Sequence, residues 1–122
     1  MPTETFTSHA LTLTVSEEPA TVLVTWKGRS TAREPAEFLV PILTKALDRA
    51  SELKRPLTLD FRGIEYFNSS TITPVVRMLQ EAKRRGSSLF INYDKNLRWQ
   101  ELSFSALHVF HTGDQRIRIV GV

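Results

Sequence analysis

The apolar residues of this chain change their spacing part-way along, and that change limits the folds open to it. In "ALTLTVS", Leu11, Leu13 and Val15 alternate with threonines, and in "TVLVTWKG", Val22, Val24 and Trp26 fall on one side. A period of two sets every second side chain on one face of a strand, so both stretches predict strands with one buried face. Glu17, Glu18 and Pro19 between them form a turn, and the two strands are close enough to make a hairpin. "GRSTAREP" is then polar and loop-like. From Pro35 the period changes. Phe38, Leu39, Ile42, Leu43, Ala46, Leu47 and Ala50 recur at threes and fours, the apolar stripe of an amphipathic helix. Pro35 suits a first-turn position. Pro41 removes an interior hydrogen bond and predicts a kink or a later helix start.

The alternation of periods continues to the end. Pro56 blocks helix, and "LTLDF" is a short strand with Leu57, Leu59 and Phe61 facing one way. Val75, Val76, Met78, Leu79 and Ala82 form a second helical stripe that stops at Gly86. "SLFINY" is a strand. "LRWQELSFSALHVF" is a third helix with Leu97, Leu102, Phe104 and Leu107 as its apolar contacts, and "QRIRIVGV" is a last strand. The order strand, strand, helix, strand, helix, strand, helix, strand predicts an α/β fold, a small mixed sheet backed by helices. At 122 residues the chain fits one domain, placed over residues 10–122 after an N-terminal tail over 1–9.

In such sheets, sites lie where strand C-termini meet helix N-termini. "YFNSSTITP" occupies that place, after the "LTLDF" strand. It carries Asn68 and four hydroxyls, Ser69, Ser70, Thr71 and Thr73. Capping explains one or two of them: Thr73 before Pro74 reads as an N-cap with a first-turn proline, and Asn68 as the cap of a local turn. The remaining hydroxyls sit where free N–H groups and the helix dipole favour negative charge, so the fold would tolerate a phosphate there.

Other chemistry finds little support. The chain has no cysteine, which removes disulfides, thiolate metal sites and cysteine nucleophiles. His108 and His111 are three apart but lack a third ligand at matching spacing, so no metal is expected. Ser69, His108 and Asp60 could make a triad only on paper, since no nucleophile-elbow motif frames the serine. The five glycines form no phosphate-cradling loop. Trp26 and Trp99 read as core or rim rather than base-stacking platforms. The net charge of +3 gathers in "AKRRG", which suits a helix C-terminus as well as it suits a phosphate patch. No nucleic-acid partner is therefore expected. With no run of about 18 apolar residues and no signal-like start, neither a membrane span nor export is expected, and the cytoplasm is the simplest location.

The stretch "PLTLDFRGIEYFNSSTITPVVRMLQEAKRRGSSLFI" resembles the central part of STAS domains, the anti-sigma-factor-antagonist family. Asp60, Gly63, Ile64, Phe67, Ser69, Ser70, Lys83, Arg84, Arg85 and Gly86 fall on that family's pattern. The resemblance implies a small mixed sheet with helices packed largely on one side. It implies a non-catalytic, cofactor-free domain that binds an anti-sigma factor, itself a serine/threonine kinase. Phosphorylation by that kinase releases the partner, and a serine phosphatase of the PP2C type resets the switch. The phosphoacceptor position falls on Ser69. The partner-binding surface falls on Asn68, Ser70, Thr71, Thr73, Arg77, Gln80 and Arg84, with Asn68 and Ser70 shaping the loop and Thr71 and Thr73 also helping to cap the helix. The chain departs from the pattern in carrying Asn68 where the family has Asp, and "TITP" where it has a glycine-containing helix start. Asn can donate where an ionised Asp only accepts. "FNSST" with "NYDKN" at 92–96 is also similar to bacterial regulatory phosphoproteins that switch a diguanylate cyclase.

Overall fold

The computed structural model describes residues 3–122. The first three strands are β1 (Thr3–Ser8), β2 (Leu11–Glu17) and β3 (Val22–Ser30), an antiparallel meander. Helix α1 (Ala36–Leu53) leads to β4 (Leu57–Asp60), β5 (Ile64–Phe67) and helix α2 (Ser69–Arg85). Strand β6 (Leu89–Tyr93), helix α3 (Arg98–Ser105), a 3₁₀ turn (Ala106–Phe110) and strand β7 (Ile117–Gly121) complete the chain. The sheet order is β1-β2-β3-β4-β6-β7, with β3, β4, β6 and β7 parallel, as βαβ crossovers require.

The alternation in the sequence becomes the two faces of this sheet. Leu11, Leu13, Val22, Val24, Trp26, Leu57, Leu59, Leu89, Ile91, Ile117 and Ile119 are all buried in one core. The helices cover it with Leu39, Leu43, Leu47, Val75 and Leu79. The opposite face of the meander carries Thr3, Thr5, Thr7, Thr12, Thr14 and Thr25, none of them buried. Polar side chains on that face let one side of the sheet meet water.

Several sequence expectations give way. Residues 3–8, expected as a tail, form β1, whose threonines and Phe6 suit a strand once β2 offers a partner. The segment "IEYF" forms β5, a strand with no alternation to announce it. It pairs with the far end of β3 across an irregularity between Gly28 and Arg29. The nine-residue β3 thus serves β4 with its first half and β5 with its second. Helix α1 runs through Pro41 rather than starting after it, and Pro41 is exposed, so the lost bond lies on the solvent side. The third helix changes to 3₁₀ at Ala106. Of its expected contacts Phe104 and Leu107 are buried, while Leu97 and Leu102 are 37% and 63% exposed.

Candidate functional site

Helix α2 begins five residues earlier than Thr73–Pro74 suggested. Asn68 is its N-cap, in extended conformation, and Pro74 lies inside the helix at a buried position. The cap is a small network. The Asn68 Oδ1 accepts from the Thr71 amide at 3.2 Å and from the Thr71 hydroxyl at 2.8 Å. The Thr71 hydroxyl also lies 2.7 Å from that of Ser30, at the end of β3. On its other side the Asn68 Nδ2 donates to the Ala32 carbonyl at 2.8 Å, and the Asn68 amide donates to the Ser30 carbonyl at 3.0 Å. The amide side chain therefore joins the start of α2 to the β3–α1 loop.

This places the expected site residues on two sides. Thr71, expected at the partner surface, is instead fully buried, because its hydroxyl belongs to the cap network. Asn68 is half-buried with both ends of its amide engaged. Ser69 and Ser70 are the first two residues of α2 and are exposed. Thr73, Arg77, Gln80 and Arg84 are exposed as well. At about 100° per residue, Ser69, Thr73, Arg77, Gln80 and Arg84 fall within an arc of about 80°, a single stripe along the helix. Arg84 is tied to Glu81 on the same helix.

The basic end of α2 is largely neutralised. Arg85 contacts Glu81 and Asp48, each at 2.8 Å, and Glu81 also receives Arg84. Those hydrogen bonds from Arg84 and Arg85 hold the Glu81 carboxyl at about 2. Gly86 then ends the helix in the left-handed region at φ 70°.

Beside the cap lies an open cleft of about 930 Å³, lined by Ser30 and the Thr31–Pro35 loop on one side and by Ser8 and His9 on the other. On the other flank an aromatic cluster supports the approach to Asn68. The Phe67 ring packs edge-on against Trp99 at 5.1 Å and Phe104 at 5.6 Å, and Phe61 stacks toward Trp26 at 4.4 Å. Trp26 is core and Trp99 is rim.

Gln100 had no sequence signal. It is fully buried, donates to the Phe61 and Ile64 carbonyls at 2.9 and 3.1 Å, and accepts from the Asp94 amide at 2.8 Å. It fixes the turn between β4 and β5 against the start of α3. A polar residue amid "LRWQELSF" that breaks no apolar stripe offers no cue to burial.

Two members of the paper triad, Asp60 and His108, have other contacts. Burial pushes the Asp60 carboxyl up, but hydrogen bonds from the Arg62 guanidinium and amide outweigh it and leave the group below its ordinary value. His108 stacks on His111 at 6.1 Å. Among the described residues no group of three or more His, Asp or Glu is placed to hold a metal.

No family model and no curated protein matches the chain. Among solved structures it is similar to an anti-sigma factor antagonist from Mycobacterium paratuberculosis. The match has a TM-score of 0.63 at 12% identity and covers 87% of this chain and 90% of that one. The chain has a STAS-type fold. In this fold the start of α2 follows β5 through the single residue Asn68, and helices cover one face of the mixed sheet. No described helix is long and apolar enough to cross a membrane.

Proposed function

We propose that this STAS-type domain is a non-catalytic, phosphorylation-switched protein-interaction module of the cytoplasm, with Ser69 as the phosphoacceptor. The observation that carries the reading is the division at the start of α2. Thr71 and Asn68 are locked inward, while Ser69 stands exposed at the head of the Ser69–Arg84 stripe. A phosphate on Ser69 adds close to two negative charges beside the free N–H groups of the helix start. That environment favours the anion, so the fold is kept and only the surface offered to a partner changes. The fit is to a partner of the anti-sigma-factor type with serine/threonine kinase activity, reset by a PP2C-type phosphatase. The solved neighbour, an anti-sigma factor antagonist, supports this partner class.

A diguanylate cyclase is the second partner reading. It is favoured by Asn68, whose amide N–H₂ is used in the cap in a way a carboxylate could not match. A scaffold of the same fold in which Ser69 is never modified is the competing case.

The test is phosphosite mapping of the tryptic peptide Gly63–Arg77 from the protein's own cells in several growth states. Phosphate on Ser69 is expected. A well-covered, unmodified peptide in every state favours the scaffold. In titrations against a captured partner, Ser69→Glu weakens binding while leaving stability within about 1 kcal/mol, as for most exposed sites. Unchanged affinity overturns the switch.

A further inference from the structure

The two edges of the sheet are finished differently. At the β7 edge, the Thr112 amide donates to the Ile117 carbonyl at 3.1 Å, and the Thr112 hydroxyl accepts from the Ile117 amide at 3.1 Å. The outward-facing groups where β7 begins are thus already used. At the other end β1 pairs only with β2 among the described strands. Its six residue pairs, Thr3↔Ser16 to Ser8↔Leu11, run without a bulge. Natural sheets protect open edges with charged side chains, proline or bulges. "TETFTS" has one charge, Glu4, and neither a proline nor a bulge.

A groove with apolar and charged walls adjoins the same edge. An open space of about 510 Å³ lies between the β1–β2 hairpin and α1, where the apolar Phe6, Val15, Pro41, Ile42 and Ala46 are joined by the charged Glu4, Glu17, Lys45, Asp48, Arg49 and Glu52. Phe6 lies opposite the buried Leu13, so its ring is on the helix side of the sheet, where it is only half-buried.

We propose that the β1 edge docks a second copy of this chain, antiparallel, about a two-fold axis at Phe6. In that register Phe6 faces its counterpart, Thr5 faces Thr7 and Glu4 faces Ser8. Aromatic and threonine cross-strand pairs stabilise such ladders. Glu4 is the one charged residue of the strand, and it meets a neutral partner. The two Glu4 side chains are four residues apart along the ladder, about 13 Å at the strand rise, which exceeds the screening length of roughly 8 Å. The pairing is isologous and closes at two copies. It brings the two Phe6 rings, each at the mouth of its groove, over one another.

Sedimentation of the whole chain tests this. A dimer is expected, and Phe6→Lys, which sets two cations at the axis, weakens it about tenfold or more while leaving the circular dichroism spectrum unchanged. Because the chain has no cysteine, single replacements also read the register. Phe6→Cys is expected to cross-link to its own copy most efficiently, and Thr3→Cys hardly at all. If Phe6→Lys does not fold, the cysteine series decides. A parent that stays monomeric at about 1 mM, where even millimolar affinity gives substantial association, overturns the proposal. So does a dimer that folded Phe6→Lys leaves intact, or cross-linking that peaks away from position 6.

Discussion

The Asn68 amide nitrogen sits 2.8 Å from the Ala32 carbonyl oxygen, so the residue that caps α2 also holds the β3–α1 loop. Asn68→Asp keeps the cap acceptor but turns the donor into a second oxygen facing a carbonyl. A lost bond at this exposed contact costs about 0.5–1.5 kcal/mol, and the new oxygen also faces the Ala32 carbonyl. The negative charge at a helix start returns about 0.3–1 kcal/mol. Urea unfolding at neutral pH should show a net destabilisation of about 0.5 kcal/mol. A variant as stable as the parent would mean the loop contact contributes nothing.

Ser69 and Thr71 are two residues apart and should respond differently. Ser69→Ala removes an exposed hydroxyl and should stay within about 0.5 kcal/mol. Thr71→Val keeps the shape but leaves the Ser30 hydroxyl and the Asn68 oxygen each short of a partner, at about 1–3 kcal/mol. Parallel denaturation curves check both, and equal effects would refute the inward–outward division.

Gln100→Leu is close in size but strands the Asp94 amide and takes the Gln100 donor from the Ile64 carbonyl, while the Phe61 carbonyl keeps the Ile64 amide. Two groups short of a partner make a loss of about 2 kcal/mol or more. Gln100→Glu should be worse, since an ionised carboxylate would face two carbonyl oxygens. Thermal melts of the two variants give the order.

Gly28 lies at φ 90°, and a Cβ there would sit 2.0 Å from the Ala10 carbonyl oxygen. Gly28→Ala should therefore cost at least about 3 kcal/mol, through backbone strain and a forced shift of the β1–β2 turn. Gly113→Ala meets no atom within 4 Å and serves as the neutral control.

Glu81 gives the fold an acid-sensitive element. Its hydrogen bonds from Arg84 and Arg85 lower the carboxyl from 4.5 to about 2. The ionised form is favoured by folding, so the contribution is full above 4.5 and is lost as pH falls toward 2. The group is partly exposed, and salt should weaken the effect. Stability measured across that range should fall less steeply in Glu81→Gln than in the parent; identical slopes would remove Glu81 from the acid response.

Much of the architecture was legible from spacing alone. Periods of two and of three to four located β2, β3, β4, β6, β7, α1 and α2 and most of the core. Gly86 marked the end of α2, and the serine-rich stretch lies, as its position in the chain implied, where a strand hands over to a helix. These features are local: they depend on which side of an element is apolar and on which residue tolerates a turn. What the tertiary structure decided depends on distant partners. Strands β1 and β5 exist because β2 and β3 offer them hydrogen bonds, not because their own residues alternate. Asn68 rather than Thr73 caps α2, because Ala32 and Ser30, more than thirty residues earlier, give its side chain and backbone partners that a local turn cannot supply. Gln100 is buried because backbone groups of two separate segments, the β4–β5 turn and the end of β6, converge on it. A buried polar group is stable only where its bonds are satisfied, and no local pattern in a chain says which far-off carbonyl will arrive to satisfy them.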